Sequence, residues 1–240
     1  MNIAVIFAGG VGSRMRSKDR PKQFLEIHNK PIIVHTIEYF QNNSNIDAIV
    51  VVCVEDWIEY FNSLVEKYRL DKIEKVIPGG STGQLSIYNG LCAAKEISND
   101  ETSIVLIHDG VRPLINDKLI TDNIESVKKY GSAITAGIVK ETIVEIDDSG
   151  DICLVPDRAH SRVAKAPQSF WLDDILNAHQ KALSINKYDF IDSCTMMQWY
   201  GKKLHMIDGP YENIKITTPD DFYTMRAILQ VKEDQQIYGI

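Results

Sequence analysis

Cysteine is scarce in this chain, and none of it is paired. Cys53, Cys92, Cys153 and Cys194 lie far apart with no C-x-x-C spacing, which excludes the common zinc and dithiol motifs and implies free thiols in a reducing compartment. The six histidines show no metal-ligand spacing either. No apolar stretch approaches the ~18–20 residues that a membrane span needs. The first apolar run has no basic segment ahead of it, so no secretory signal and no membrane partner are expected, and a cytoplasmic location is. Positive charge is in deficit: 26 Lys and Arg against 33 Asp and Glu leave a net −7, which argues against a nucleic-acid surface. Two glycine fingerprints are also missing. No Lys-Ser or Lys-Thr follows the first glycines, as a Walker loop requires. Met15 stands where the dinucleotide motif needs its third glycine, which disfavours a nicotinamide or flavin enzyme.

What remains is an alternation of two patterns. Ile3–Phe7, Asp47–Val54 and Ser103–Ile107 are short, continuous apolar runs, as expected of strands covered on both faces. Lys75–Ile77 and Lys203–Asp208 read as further short strands. Between them, Ile33–Phe40, Trp57–Tyr68, Ser86–Ile97, Asp117–Tyr130, Leu172–Ala182 and a stretch from Pro219 have helical spacing. This rhythm predicts an α/β fold: a Rossmann-like, doubly wound, mostly parallel sheet. After Ser132 the rhythm breaks into short alternating segments around Asp147-Asp148-Ser149-Gly150-Asp151, which predicts an antiparallel hairpin projecting as an arm at about 134–164. With no linker or repeat, residues 1–240 read as a single domain.

Ligands of such sheets sit beyond the carboxyl ends of the strands, and the notable residues fall there. "AGGVG" (8–12) follows the first strand and leads into Arg14, Arg16, Lys18, Arg20 and Lys22. A glycine loop whose amides approach a ligand, followed by clustered cations, suits a polyphosphate. "PGGSTGQLS" (78–86), "HDGVRP" (108–113) and "ENIKITTPDD" (212–221) add Gly80, Ser81, Ser86, Asp109, Arg112, Glu212 and Lys215 to the same edge. Taken singly, each has a plainer role: Asp109 as a cap, Arg112 in a surface ion pair, Ser86 as a helix N-cap, Lys215 as a snorkelling side chain. Their coincidence at one edge favours a shared site. His108 reads as structural.

The segments "AGGVGSRM…PKQFL", "GGSTGQLSIYNGL", "HDGVRP", "DRAHSRVAKAPQSF" and "NIKITTPDD" together resemble the cytidylyltransferases that make CDP-linked polyol phosphates. That group holds methylerythritol-phosphate and ribitol-phosphate enzymes, and the resemblance covers almost the whole chain. It implies the nucleotide-diphospho-sugar transferase type of fold. In the implied reaction an acceptor phosphate oxygen attacks the α-phosphorus of CTP, and pyrophosphate leaves. By this resemblance Arg14, Lys22 and Lys215 are catalytic, and Ala8, Gly9, Gly10, Gly12, Gly80, Ser81, Ser86 and Asp109 bind nucleotide. Asp109 places Mg²⁺. Arg112, Thr142 and Arg158 bind the acceptor, the last two reaching from the arm into a neighbouring subunit of a homodimer. Arg16, Lys18 and Arg20 only border the pocket.

"HDGVRPLI", "PDRAH" and "DSCTMM" resemble the ribitol type more than the methylerythritol type, so ribitol 5-phosphate is the expected acceptor. Methylerythritol, arabinitol and mannitol phosphates are the alternatives. The family's "GG-x-x-R" loop carries an arginine where this chain has Gly83, which leaves nucleotide preference open. A regulatory module that binds nucleotide without turnover is the non-enzyme alternative. The joint retention of Arg14, Lys22, Asp109, Arg158 and Lys215 counts against it.

Overall fold

A computed structural model of the chain describes residues 1–10, 20–98 and 102–239. The expected alternation is present. Strand β1 (Asn2–Ala8) is followed by a 3₁₀ turn, Lys22–Phe24, and a small hairpin of β2 (Glu26–Ile27) and β3 (Lys30–Pro31). Then come α1 (Ile32–Asn42), β4 (Ala48–Cys53), α2 (Ile58–Tyr68), β5 (Ile73–Pro78), α3 (Gly83–Ile97), β6 (Ile104–Asp109) and α4 (Asp117–Tyr130). The second half adds β7 (Ser132–Ile138), β8 (Glu145–Ile146), β9 (Ile152–Leu154), β10 (Arg162–Trp171), α5 (Leu172–Ser184), α6 (Ser193–Trp199), β11 (Met206–Asp208) and α7 (Pro219–Tyr238). The described residues form a seven-stranded sheet in the order β11-β7-β10-β6-β1-β4-β5. Its pairs are parallel except where β10 runs against β6 and β7.

Period-two alternation sends successive side chains to opposite faces, and both faces are covered. Ala4, Ile6, Ile49, Val51 and Leu106 join Phe40, Phe61 and Ile124 from α1, α2 and α4. Ile3, Val5, Val50, Val52 and Val105 join Leu91, Ile175 and Met196 from α3, α5 and α6. Such residues are buried, which stabilises the fold by roughly 1.5–3 kcal/mol for each fully enclosed Ile or Val. Helix α3 lies so close to the sheet that a Cβ on Gly90 would stand 2.5 Å from Val5 Cγ1. A third cluster, Ile27, Ile32, Val111, Leu114, Ile216 and Met225, seats α7 beside the carboxyl edge.

Several boundaries differ from the sequence reading, three of them with a clear physical cause. The excursion expected at about 134–164 begins later. Ser132–Ile138 is a sheet strand between β10 and β11, with Ile134 and Ala136 buried, and Arg162–Ala164 pairs with it. The segment between them, with the β8–β9 hairpin, lies outside the main sheet. Helix α3 starts at Gly83 rather than Ser86, because the Thr82 side chain caps it by accepting from the Leu85 amide at 3.1 Å. The last strand is shorter than Lys203–Asp208, because pairing to β7 begins at Met206. Among the described residues, no helix is long and apolar enough to cross a membrane.

Candidate active site

Two adjoining cavities open at the carboxyl edge of the sheet. The larger, about 420 Å³, is lined by Phe7, Ala8, Gly9, Gly10, Lys22, Gln23, Gly80, Ser81, Thr82, Gly83, Ser86, Asp109, Val111 and Lys215. The smaller, about 280 Å³, is lined by Phe7, Gly83, Ile87, Ile107, Asp109, Arg112, Ala164, Lys165, Ala166, Gln168, Ile191, Asp192, Ser193 and Lys215. Phe7, Gly83, Asp109 and Lys215 belong to both. The four segments read from the sequence therefore converge, on a pair of cavities rather than one.

The floor of the larger cavity depends on close backbone approach. A Cβ on Gly9 would lie 3.3 Å from Gly79 Cα, and one on Gly80 would lie 2.5 Å from Leu85 Cβ. Ser86 ties this turn down: its hydroxyl accepts from the Gly80 amide at 3.0 Å and donates to the Thr82 carbonyl at 2.9 Å. Gln23 performs the same service on the other side. Its buried side-chain amide donates to the Ala8 carbonyl at 2.6 Å and the Gly10 carbonyl at 3.3 Å. Sequence reasoning assigns Gln23 no role. Its only signal is a polar residue between Lys22 and Phe24.

Charge is concentrated at the junction of the cavities. Asp109, 4% exposed, is held by Lys215 Nζ at 2.5 Å on Oδ1 and by Arg112 Nε at 3.1 Å on Oδ2. Burial pushes its carboxyl pKa up, but Arg112 and Lys215 outweigh burial and hold it at about 2. It is an ionised carboxylate at any neutral pH. Arg112 is buried too, so the plain reading as a surface ion pair fails; its Nη1 donates to the Asn213 carbonyl at 3.0 Å. Asn213 in turn donates to Ala166 at 2.8 Å, while the Ile216 amide donates to the Val111 carbonyl and Lys22 Nζ donates to the Ile216 carbonyl, both at 2.9 Å. Residues 109–112, 213–216 and Lys22, distant in sequence, are woven into one rim. His108 bears out its structural reading: burial pushes its pKa down to about 4, and its Nε2 meets the Arg112 carbonyl at 2.9 Å.

The remaining expected residues divide three ways. Gly12 and Arg14, with Arg16 and Lys18, lie outside the described residues. Arg20 pairs with Glu26 at 3.3 Å and lines neither cavity. Thr142 and Arg158 are exposed on the arm and line neither cavity of their own chain; Arg158 Nη1 donates to the Lys140 carbonyl at 3.3 Å. Gly83 opens onto both cavities, and a Cβ there would meet nothing within 4 Å.

For Mg²⁺, the described residues offer no cluster of three or more His, Cys, Asp or Glu. Asp109 alone still fits. Mg²⁺ is commonly held by one or two carboxylates together with substrate phosphates, and Asp109 is a hard oxygen donor, ionised at neutral pH, at the point the two cavities share.

A sheet of this winding with a cation-rimmed double cavity at its carboxyl edge has the layout of a nucleotidyltransferase, and known proteins agree. The family model for 2-C-methyl-D-erythritol 4-phosphate cytidylyltransferase (IspD) matches residues 2–231. A ribitol-5-phosphate cytidylyltransferase of Streptococcus agalactiae is 57% identical over 240 residues, all of both chains. A 2-C-methyl-D-erythritol 4-phosphate cytidylyltransferase of Clostridium botulinum is 39% identical over 229 residues, covering 95% of this chain and 97% of the relative. The crystal structure of a 4-diphosphocytidyl-2C-methyl-D-erythritol synthase from Anaerococcus prevotii superposes with a TM-score of 0.82 at 28% identity, covering 95% of this chain and 96% of that one. The chain belongs to the IspD cytidylyltransferase family and is a nucleotidyltransferase.

Proposed function

We propose that the chain transfers CMP from CTP to D-ribitol 5-phosphate, giving CDP-ribitol and pyrophosphate. The observation that carries this reading is the pair of cavities meeting at Lys215 and Asp109, which suits two phosphorylated substrates held end to end. The full-length similarity at 57% to a ribitol-5-phosphate enzyme, against 39% to a methylerythritol one, supports ribitol as the acceptor.

The glycine-floored cavity takes CTP, its triphosphate against the 8–10 turn and Lys22. The smaller cavity takes the polyol phosphate beside Arg112. An acceptor phosphate oxygen attacks the α-phosphorus, forming a new P–O bond, and the bond to the bridging oxygen breaks as pyrophosphate departs with its electron pair. The nucleophile is already an anion, so no general base is needed. The work is positioning and charge stabilisation, supplied by Lys22 and Lys215, with Arg14 assigned to the triphosphate on family resemblance. Asp109 would hold Mg²⁺, which when bound would offset phosphate charge at the junction of the cavities.

The arm supports a further reading. Val144, Ile146, Ile152, Leu154 and Val155 are exposed along it, with Ile138 at its base, and a second copy of the chain would cover them while bringing Thr142 and Arg158 to its neighbour's acceptor cavity. A cytoplasmic enzyme feeding wall teichoic acid or capsular polymer is consistent with a CDP-ribitol product.

A second reading, methylerythritol 4-phosphate as acceptor, is favoured by the family model that matches the chain. Pyrophosphate release with CTP and Mg²⁺ across ribitol, methylerythritol, arabinitol and mannitol phosphates tests the proposal. Preference for ribitol 5-phosphate is expected. Preference for another polyol would replace the acceptor, and tight CTP binding with no release would return the regulatory module.

A further inference from the structure

Among the described residues, three cations line the smaller cavity, and Asp109 engages two of them, Arg112 and Lys215. Lys165 is the third. No carboxylate of the described residues lies within ion-pair distance of it. Its Nζ donates instead to the neutral main-chain carbonyl of Tyr211 at 3.1 Å, with the Tyr211 ring centre 5.8 Å away. Burial lowers its pKa and Arg112 lowers it further, with Glu212 acting weakly against them. A partly buried ammonium with no carboxylate in ion-pair contact, beside a second cation, has donor capacity to spare. A phosphate takes up that capacity, because charge-assisted hydrogen bonds are roughly twice as strong as neutral ones.

The position is also built for this side chain. Lys165 lies on β10, and the neighbouring strand β7 leaves its stem a passage at Gly137. A Cβ on Gly137 would stand 2.9 Å from Lys165 Cε and 3.3 Å from its Nζ. Lys165 lines the smaller cavity and not the larger one, which puts it on the acceptor's side of the Asp109–Lys215 junction.

We propose that Lys165 is an acceptor-binding residue, its ammonium donating to the phosphate of the polyol phosphate from within the same chain as the cavity. This rests on the polyol-phosphate reading of the site. One phosphate oxygen faces the nucleotide for attack, and the others turn towards Arg112 and Lys165. Sequence reasoning passes over Lys165 because its setting comes from Tyr211, 46 residues away.

The test compares wild type, Lys165→Met and Lys165→Arg in steady-state pyrophosphate release, with inorganic phosphate as inhibitor against the acceptor. In Lys165→Met the acceptor KM should rise about tenfold or more, with the CTP KM within about twofold of wild type. The Ki of inorganic phosphate should rise in step, and Lys165→Arg should recover most of the loss. Gly137→Val, which crowds the stem without removing charge, should shift the acceptor KM in the same direction. An unchanged acceptor KM in Lys165→Met overturns the proposal, as does an equal rise in both KM values, which marks a structural role. A raised acceptor KM with an unchanged phosphate Ki overturns the phosphate contact. If wild type turns over no polyol phosphate at all, the function and this inference fall together; if wild type is active and Lys165→Met is indifferent, the inference falls alone.

Discussion

The cleft and the arm stand at opposite ends of a scale of self-sufficiency. In the cleft, the charged groups are set by their own chain: Asp109 lies between Arg112 and Lys215, Arg112 is tied to Asn213, and Lys22 rests on Ile216. On the arm, Ile146 and Ile152 are 62% and 63% exposed, and the Arg158 side chain donates to a carbonyl of the same excursion at 3.3 Å. Geometry in the cleft follows from the packing of one chain. In the proposed assembly, geometry on the arm would be completed by a second copy of the chain. Cleft substitutions should therefore alter chemistry and stability, and arm substitutions should alter acceptor use and assembly.

The largest effect that would break this contrast concerns Lys22. Lys22→Ala should cut kcat by about a hundred- to a thousandfold, the usual cost of losing a transition-state charge stabiliser. Its circular dichroism and its assembly state should stay those of wild type. A folded variant with near-normal turnover would remove Lys22 from the mechanism.

Acid should find the core before the arm. Burial pushes His108 and His179 down from 6.5 to about 4. Between those pH values the unfolded chain binds protons that the native state refuses, so stability falls as pH drops from 6.5 towards 4, by at most roughly 3 kcal/mol per histidine. Asp109 behaves in the opposite sense. Its pKa is depressed from 3.8 to about 2, so its contribution is present above 3.8 and is lost as pH falls towards 2. Urea midpoints between pH 7 and 4 should show the first phase, and His179→Gln should flatten it. A slope untouched by His179→Gln but altered by Arg158→Ala would reverse the contrast.

Arg158→Ala should raise the acceptor KM about tenfold while changing kcat little. Mixing it with Lys22→Ala subunits sharpens the point. If Arg158 serves its neighbour, a mixed pair contains one cavity with both groups intact, and activity at low acceptor returns. No recovery on mixing, with subunit exchange verified by mass, would confine Arg158 to its own chain.

Gly83→Ala should have the smallest effect. Nothing stands within 4 Å of the added carbon, and Ala is the better helix former by up to about 1 kcal/mol. A slight rise in Tm with the CTP KM within about twofold is expected. A large loss of CTP affinity would mean that the nucleotide passes closer to this wall than the cavity outline implies.

Much of the fold and of the cleft is legible in the sequence, for a physical reason. Strands covered on both faces must be apolar along most of their length, so Asp47–Val54 and Ser103–Ile107 announce themselves, and the loops after such strands lie at the ligand edge. Gly9, Gly80, Asp109 and Arg112 can be found without coordinates on that ground. Residues 134–138 read as part of the arm because small residues, Ala136 and Gly137 among them, do not distinguish a sheet strand from a hairpin limb. Their burial is decided by β10 and β11 arriving from later in the chain. Gln23 and Lys165 escape sequence reasoning for the same cause: their partners are the Ala8 and Tyr211 carbonyls, which no local spacing reveals. Thr82 takes the cap expected of Ser86, and Ser86 locks the turn that the cap begins.

The most direct test of the account is a competition. CTP and Mg²⁺ would be supplied with equal concentrations of D-ribitol 5-phosphate and 2-C-methyl-D-erythritol 4-phosphate, and the products separated and weighed by mass spectrometry at early turnover. CDP-ribitol should dominate, with pyrophosphate in equal amount. A product pool dominated by the methylerythritol conjugate would contradict the acceptor assigned to this cleft.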